Sequence, residues 1–265
     1  MSDQPKREEI ERMLNQTRAL MARSREYLLE KTAAGFQTYT KSDQSEVTDI
    51  DRAVEEFLRE ALRKSFPGHG IIGEEYDAEN QNAEFVWFID PIDGTQNFAN
   101  GIPTYASIVA LHQAGHALLA IVDHPALNRC YSAGRGLGFY ENDIRRQLPP
   151  EANAIDPRVS LVTLSSPANY ARTGDVPKMT KFLEQHGNVR IYGDAFSQTS
   201  AAAGRVGGAV HYNVKPWDVA AVPVLIEEAG GCYLEKIADG DGGPYHRVVH
   251  GRRSVVEYLK PWFIG

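Results

Sequence analysis

Between Trp87 and Phe98 an apolar run ends in Asp90-Pro91-Ile92-Asp93-Gly94-Thr95-Gln96-Asn97. Two carboxylates stand on one turn stiffened by a proline, with the Ile92 carbonyl between them. Hard divalent cations take rigidly placed oxygen ligands, and this turn offers several. Gly94 and Thr95 add backbone N–H groups at a point where a helix could open, and a helix N-terminus receives phosphate. Metal and phosphate held side by side would support metal-assisted chemistry on a phosphate ester. The same residues also read as an ordinary turn closing a strand, because Asp-Pro and Asp-Gly are common turn formers.

Three further acidic segments sit at the ends of apolar elements: Asp49/Asp51, Glu74/Glu75 and Asp218 beside Trp217. Taken singly, each reads equally as a helix cap or a solvated charge. Taken together they suit phosphate ester hydrolysis. A phosphate dianion repels hydroxide and its alkoxide leaving group is poor, and divalent cations ease both problems. Mg²⁺ prefers carboxylate, carbonyl and water oxygens. No His/Cys cluster suggests zinc instead.

The elements that must position these acids can be read from periodicity. Ile10, Met13, Leu14, Ala19, Leu20, Tyr27 and Leu28 recur at helical spacing within Glu8 to Lys31, and Gly35 should end that helical region. Tyr39 to Ser45 reads as a polar loop. A second helix is expected from Val47 to Ser65, with Thr48 or Asp49 as its cap and Pro67-Gly68 as its stop. Ile71-Ile72 should be a short buried strand running into Glu74, and Phe85 to Ile89 the strand feeding the aspartate turn. Runs over Tyr105 to Leu111, Ala117 to Val122, Arg129 to Ala133 and Gly138 to Tyr140 read as an antiparallel meander. The proline-rich stretch from Pro149 to Pro157 should separate an N-terminal half, 1–150, from a C-terminal half, 151–265, of one compact unit. In the second half, strands over Val159 to Leu164, Val189 to Tyr192, Val210 to Val214 and Cys232 to Leu234 alternate with helices over Val176 to His186, Phe196 to Ala203 and Trp217 to Ala229. Alternation of this kind predicts a layered α/β or α+β fold.

The bulk properties exclude several classes. The composition is that of a globular protein, 42% hydrophobic and 24% charged. No run approaches the roughly 20 apolar residues of a membrane span. The N-terminus, Met1 to Glu11, has no apolar core of a secretory signal, so a cytoplasmic location is expected. Cys130 and Cys232 make neither a zinc site nor a disulfide framework. The formal net charge of −7 disfavours nucleic acid and anionic membranes as partners.

Gly73-Glu74-Glu75, Asp90-Pro91-Ile92-Asp93-Gly94-Thr95 and Trp217-Asp218-Val219-Ala220-Ala221 resemble the motifs of the inositol monophosphatase family, in the family's order and at about its spacing. Val47-Thr48-Asp49-Ile50-Asp51 resembles its upstream element, and Gly230-Gly231 also fits. The resemblance spans about Ile10 to Leu234. The tail around Val248-Val249-His250-Gly251 is less typical, and nothing is read from it. The resemblance implies an α+β fold, the αβαβα layered sandwich of the inositol monophosphatase and fructose-1,6-bisphosphatase type, commonly dimeric, hydrolysing phosphate monoesters with Mg²⁺ and sensitive to lithium. It implies two to three ions per site: a first held by Glu74, Asp90 and the Ile92 carbonyl, a second by Asp90, Asp93 and Asp218, and a third aided by Asp51 and Glu74. Thr95, paired with Asp51, would orient the attacking water, and the amides of Gly94 and Thr95 would hold the phosphate. Most ligands then fall in the N-terminal half, and Asp218 with the leaving-group contacts in the C-terminal half. Lys41 lies near the position of a family lysine.

For the leaving group, contacts are expected from Asp93, Gly193-Asp194-Ala195 and His211 to Lys215. Asp194 in Tyr192-Gly193-Asp194-Ala195-Phe196 and the Lys215-Pro216 pair look more like the family's histidinol-phosphatase branch, where an acid can face a substrate ammonium. Asp194 reads alternatively as the cap of the following helix. His211 and Trp217 read first as packed residues. Histidinol phosphate stands ahead of inositol 1-phosphate. Sugar phosphates and bisphosphates or 3′-phosphonucleotides trail, and a catalytically silent, metal-binding regulatory protein is the alternative from another class.

Overall fold

The structure, a computed structural model, describes residues 5–40, 46–149, 156–238 and 244–265. Helices and sheets alternate in five layers. The outer layer pairs α1 (Arg7–Ala34) with α2 (Asp49–Ser65). The first helix ends at Gly35, whose φ of +92° suits a residue without Cβ. The second begins at Thr48, which closes a capping box with Asp51: the Asp51 amide donates to the threonine hydroxyl, and the Asp51 carboxylate accepts from the Thr48 amide at 2.8 Å. Of the two expected caps, Thr48 is the one used, and Val47 lies in a strand rather than in the helix. Thr38–Thr40 (β1) pairs antiparallel with Glu46–Thr48 (β2), so part of the expected polar loop is a hairpin strand; Lys41 lies outside the described residues.

Beneath the helix pair lies a seven-stranded sheet in the order β3 (Gly70–Gly73), β4 (Phe85–Asp93), β5 (Ala106–Gln113), β6 (His116–His124), β7 (Arg129–Gly134), β8 (Gly138–Glu141) and β9 (Ile144–Arg146). The β3–β4 pair is parallel, and the rest is the expected antiparallel meander. Alternation along β5 divides its side chains between two cores. Val109 and Leu111 pack towards the helix pair with Leu14, Met21, Val54 and Leu58. Ile108 and Ala110 face a central layer of helices with Val222, Leu225 and Ile226.

That central layer holds α6 (Asp194–Ala202), α7 (Pro216–Val219) and α8 (Val222–Glu228). The single helix expected over Trp217 to Ala229 is broken in two. Pro223 has no N–H to donate, and its ring crowds the carbonyl four residues earlier, that of Val219. The fourth layer is a five-stranded sheet ordered β11 (Val189–Ile191), β10 (Val162–Leu164), β12 (Gly208–Val214), β14 (Tyr245–Gly251) and β13 (Cys232–Ala238). The expected strand from Val159 starts later, because Pro157–Val159 forms a single tight helical turn with Asp156 accepting from the Arg158 amide. The last layer holds α4 (Pro167–Ala171), α5 (Val176–Gln185) and α9 (Arg253–Phe263). Val255, Val256, Leu259 and Phe263 of α9 close a core over Val210, Tyr212 and Val249.

The seven-stranded sheet is thus built from residues before 150 and the five-stranded one from residues after 156. Most of the proline-rich stretch between them, 150–155, lies outside the described residues. Among the described residues, no helix is long and apolar enough to cross a membrane.

Candidate metal and phosphate site

In a regular strand, residues three apart point to opposite faces. Asp90 and Asp93 escape this because β4 carries an irregularity. Asp90 pairs with Ile108 and Asp93 with Ala106, so three steps on β4 match two on β5. The extra residue turns both carboxylates to one side, as bulges commonly do beside functional sites. Asp218 comes from the other half of the chain. It is the third residue of α7, and its carboxylate accepts from the Lys215 amide at 2.8 Å, which fixes its rotamer. Together, Asp90, Asp93 and Asp218 present ligand oxygens that all lie within 4.8 Å of one another.

Such a cluster is expensive as bare charge. Asp90 and Asp93 are 1% and 5% exposed. Burial first, then the neighbouring carboxylates, raises both well above the usual carboxylate range: Glu74 leads for Asp90, Asp194 for Asp93. Burial and Glu74 push Asp218 up to about 8. The Asp90 Oδ1 is buried with no hydrogen-bond partner among the described residues. Buried polar atoms are seldom left so. An orphaned carboxylate oxygen inside an all-oxygen cluster suits a hard divalent cation. The residues therefore fit the metal that the sequence motifs imply.

The remaining expected residues surround this cluster. Glu74 follows β3 and lines the same cavity, with the Ile92 carbonyl's residue, Gly94 and Thr95. Gly94 has a φ of +82° and caps α3 (Thr95–Ala99), so the helix expected to open here does open. The Thr95 hydroxyl lies 3.2 Å from Asp51 Oδ1 and 3.0 Å from the Ile92 carbonyl, and donates its one proton to either. Asp51 itself is fully buried behind Thr95, where burial pushes it up to about 6 against the hydrogen bonds from Thr48. It does not line the cavity.

The cavity measures about 670 Å³, far larger than a phosphate needs. Its far wall includes Asp194, Phe196, His211, Asn169 of α4 and Arg172 just after that helix. The capping role offered for Asp194 is not what the structure places there. Gly193 is the N-cap of α6, Asp194 is the first helical residue at φ +63°, and its side chain makes no capping hydrogen bond. The Ala195 amide donates instead to the Asp93 carboxylate. Asp194 is left facing the cavity, with Asn97 Nδ2 donating to it at 3.4 Å. His211 is buried, bonded to the Ser197 hydroxyl at 3.1 Å, and pushed down to about 4 by burial, so it is neutral.

Among the lining residues without a role in the sequence motifs are Asn97 and Gln198. Asn97 bridges Thr104 and Asp194. Gln198 donates to the Asp218 backbone carbonyl at 2.7 Å. Asn97 sits four residues after Asp93 and carried a positional signal. Gln198, in the run Ser197-Gln198-Thr199-Ser200-Ala201-Ala202, carried none.

The Inositol monophosphatase family model matches residues 9–258. A histidinol-phosphatase from Chlorobaculum parvum is 35% identical over 215 residues, 78% of this chain and 81% of that protein. A protein named Nus factor SuhB from Pasteurella multocida is 35% identical over 233 residues, covering 84% and 85%. Among solved structures, an IMPase from Thermotoga maritima superposes with a TM-score of 0.78 at 26% identity, covering 94% of this chain and 97% of that one. The five layers, the acid cluster that joins a strand of the first sheet to a helix of the central layer, and a sequence match over residues 9–258 make this chain a member of the inositol monophosphatase family of phosphoric monoester hydrolases.

Proposed function

We propose that the chain hydrolyses the phosphate ester of a small metabolite with Mg²⁺, with histidinol phosphate as the first candidate substrate and inositol 1-phosphate as the second. The observation that carries this is the buried Asp90–Asp93–Asp218 cluster with its unpartnered Asp90 oxygen. Two to three Mg²⁺ ions, held by Glu74, Asp90, the Ile92 carbonyl, Asp93 and Asp218 with help from Asp51, would neutralise the phosphate and lower the pKa of water.

The chain's own groups do the rest. The Thr95 hydroxyl, donating its own proton to the Asp51 carboxylate, accepts a hydrogen bond from the attacking water and aims the water oxygen at phosphorus. The Gly94 and Thr95 amides, at the start of α3, receive the phosphate oxygens. The water oxygen bonds to phosphorus as the ester P–O bond breaks, water's proton passes through Thr95 to Asp51, and the leaving alkoxide takes a proton from solvent water and departs as the alcohol towards Asp93 and Asp194. The Asp194 carboxylate, freed from any capping role, pairs with a substrate ammonium. Two relatives at 35% identity, from Chlorobaculum parvum and Mycobacterium tuberculosis, bear the histidinol-phosphatase name, which supports that substrate. We further propose a homodimer in the cytoplasm, on the family resemblance.

The test is phosphate release from histidinol phosphate, inositol 1-phosphate, fructose 1,6-bisphosphate and 3′-phosphoadenosine 5′-phosphate, with Mg²⁺, with EDTA and with added lithium. Preference for one ester settles the substrate. Similar rates on several make it a broad phosphatase. No release from any, with Mg²⁺ bound, overturns catalysis and leaves a regulatory protein.

A further inference from the structure

Asp218 is the only member of the acid cluster supplied by a helix of the C-terminal half. That helix, α7, is four residues long and carries Asp218 two positions from a break at Ala220-Ala221. A piece of chain this short does not hold its own geometry. Val219, Ala220 and Ala221 anchor it in the central core, and side chains of neighbouring elements hydrogen-bond its backbone carbonyls. Gln198 of α6 donates Nε2 to the Asp218 carbonyl at 2.7 Å, and His112 of β5 lies 2.8 Å from the Ala220 carbonyl.

The Gln198 bond is unusual in its cost. The residue is 2% exposed, and only its nitrogen can donate to a carbonyl, which fixes the amide orientation. The other end, Oε1, is then left buried without a partner among the described residues. A residue chosen for stability alone would not carry an orphaned acceptor into a helix whose other buried residues are alanine, serine and threonine. The same helix is gripped at its start by Asp93, whose carboxylate accepts from the Ala195 amide. One helix therefore touches two of the three cluster acids, Asp93 through its first turn and Asp218 through Gln198.

We propose that Gln198 is a positioning residue for divalent-cation binding: by holding the Asp218 carbonyl it sets the separation of Asp218 from Asp90 and Asp93. This rests on the reading of that cluster as a cation site. Groups that orient metal ligands from behind commonly govern affinity by about 10- to 100-fold.

The test is calorimetric titration of the substrate-free protein with MgCl₂, alongside its melting temperature in EDTA. Gln198→Met keeps the side chain's length and removes both the donor and the orphaned acceptor. It should weaken Mg²⁺ binding by about tenfold or more, leave the melting temperature in EDTA at or above that of the parent, and recover kcat at saturating Mg²⁺. Thr199→Val is the comparison. It removes a hydroxyl of the same helix that bonds the Ala195 carbonyl and the His124 ring of β6, without touching Asp218. It should lower the melting temperature and spare Mg²⁺ affinity. Unchanged Mg²⁺ affinity in Gln198→Met overturns the proposal, and so does an equal loss of affinity in both variants. If the parent protein binds no Mg²⁺, the cation reading itself fails, and the proposal with it.

Discussion

Magnesium should stabilise this protein far more at pH 8 than at pH 6. Asp218 ordinarily ionises near 3.8, and burial beside Glu74 pushes it up to about 8 in the fold. Asp90 and Asp93 are raised as well. Between those values the cation-free fold binds more protons than the unfolded chain, so protons favour the fold. This contribution is complete below 3.8 and is lost as pH rises through about 8, and the cation-free protein weakens across that interval. A bound cation needs the ionised carboxylate and must displace the proton. At pH 6 about one Asp218 carboxyl in a hundred is ionised, against about half at pH 8, so apparent affinity is about 50-fold lower. Mg²⁺ at about 100 times its pH 8 dissociation constant then adds about 2.7 kcal/mol at pH 8 and under about 1 kcal/mol at pH 6. For a chain of this size that is a rise in Tm of about 5–10 °C at pH 8 and about 1–3 °C at pH 6. Scanning fluorimetry in EDTA and in MgCl₂ at both pH values measures it. Equal shifts at the two pH values, or none at pH 8, would refute a protonated carboxylate cluster that exchanges protons for metal.

Asp93→Asn should cut turnover by about a thousandfold or more while the far-UV spectrum stays that of the parent, because an amide is a poor ligand for a hard cation. A near-normal rate would remove Asp93 from the site. Asp194→Ala should raise KM for histidinol phosphate by about tenfold, the worth of a charge-assisted contact, and leave inositol 1-phosphate almost untouched. Equal losses on both substrates would sink the ammonium contact. Arg59→Ala should destabilise the fold by about 3–5 kcal/mol in urea denaturation, since Arg59 is 2% exposed, bonds Glu55 at 2.7 Å and also reaches Glu79 and the Tyr76 carbonyl. A loss under about 1 kcal/mol would mean that the buried Glu55 simply takes up a proton.

The acid site was legible because most of its chemistry is local. Asp90, the Ile92 carbonyl, Asp93, Gly94 and Thr95 share one turn, and a turn's residues act on each other whatever the rest of the chain does. Asp51 and Thr48 were legible as a helix start for the same reason. What the sequence hid depends on distant partners. The break between α7 and α8 had a visible cause in Pro223, but an apolar helical period ran through it and masked it. Gln198 matters only because Asp218, 20 residues on, folds back against it. The strand Tyr245–Gly251 went unread because its apolar centre, Val248-Val249, is two residues long between His246-Arg247 and His250. Its identity as a strand is set by β12 and β13 on either side, not by its own residues.

That late strand has a consequence for how the protein is made. β14 is the inner member that joins β12 to β13, and among the described residues it is the last strand in sequence. The seven-stranded sheet pairs neighbours in sequence throughout, so it can form as it leaves the ribosome. The five-stranded sheet cannot: β13 has no hydrogen-bonded neighbour until residues 245–251 emerge. A nascent chain thus presents Asp90 and Asp93 well before Asp218 can be seated beside them. Until residues 245–251 are made, β12 presents an unpaired sheet edge on that side, the kind of edge that templates mispairing with another chain.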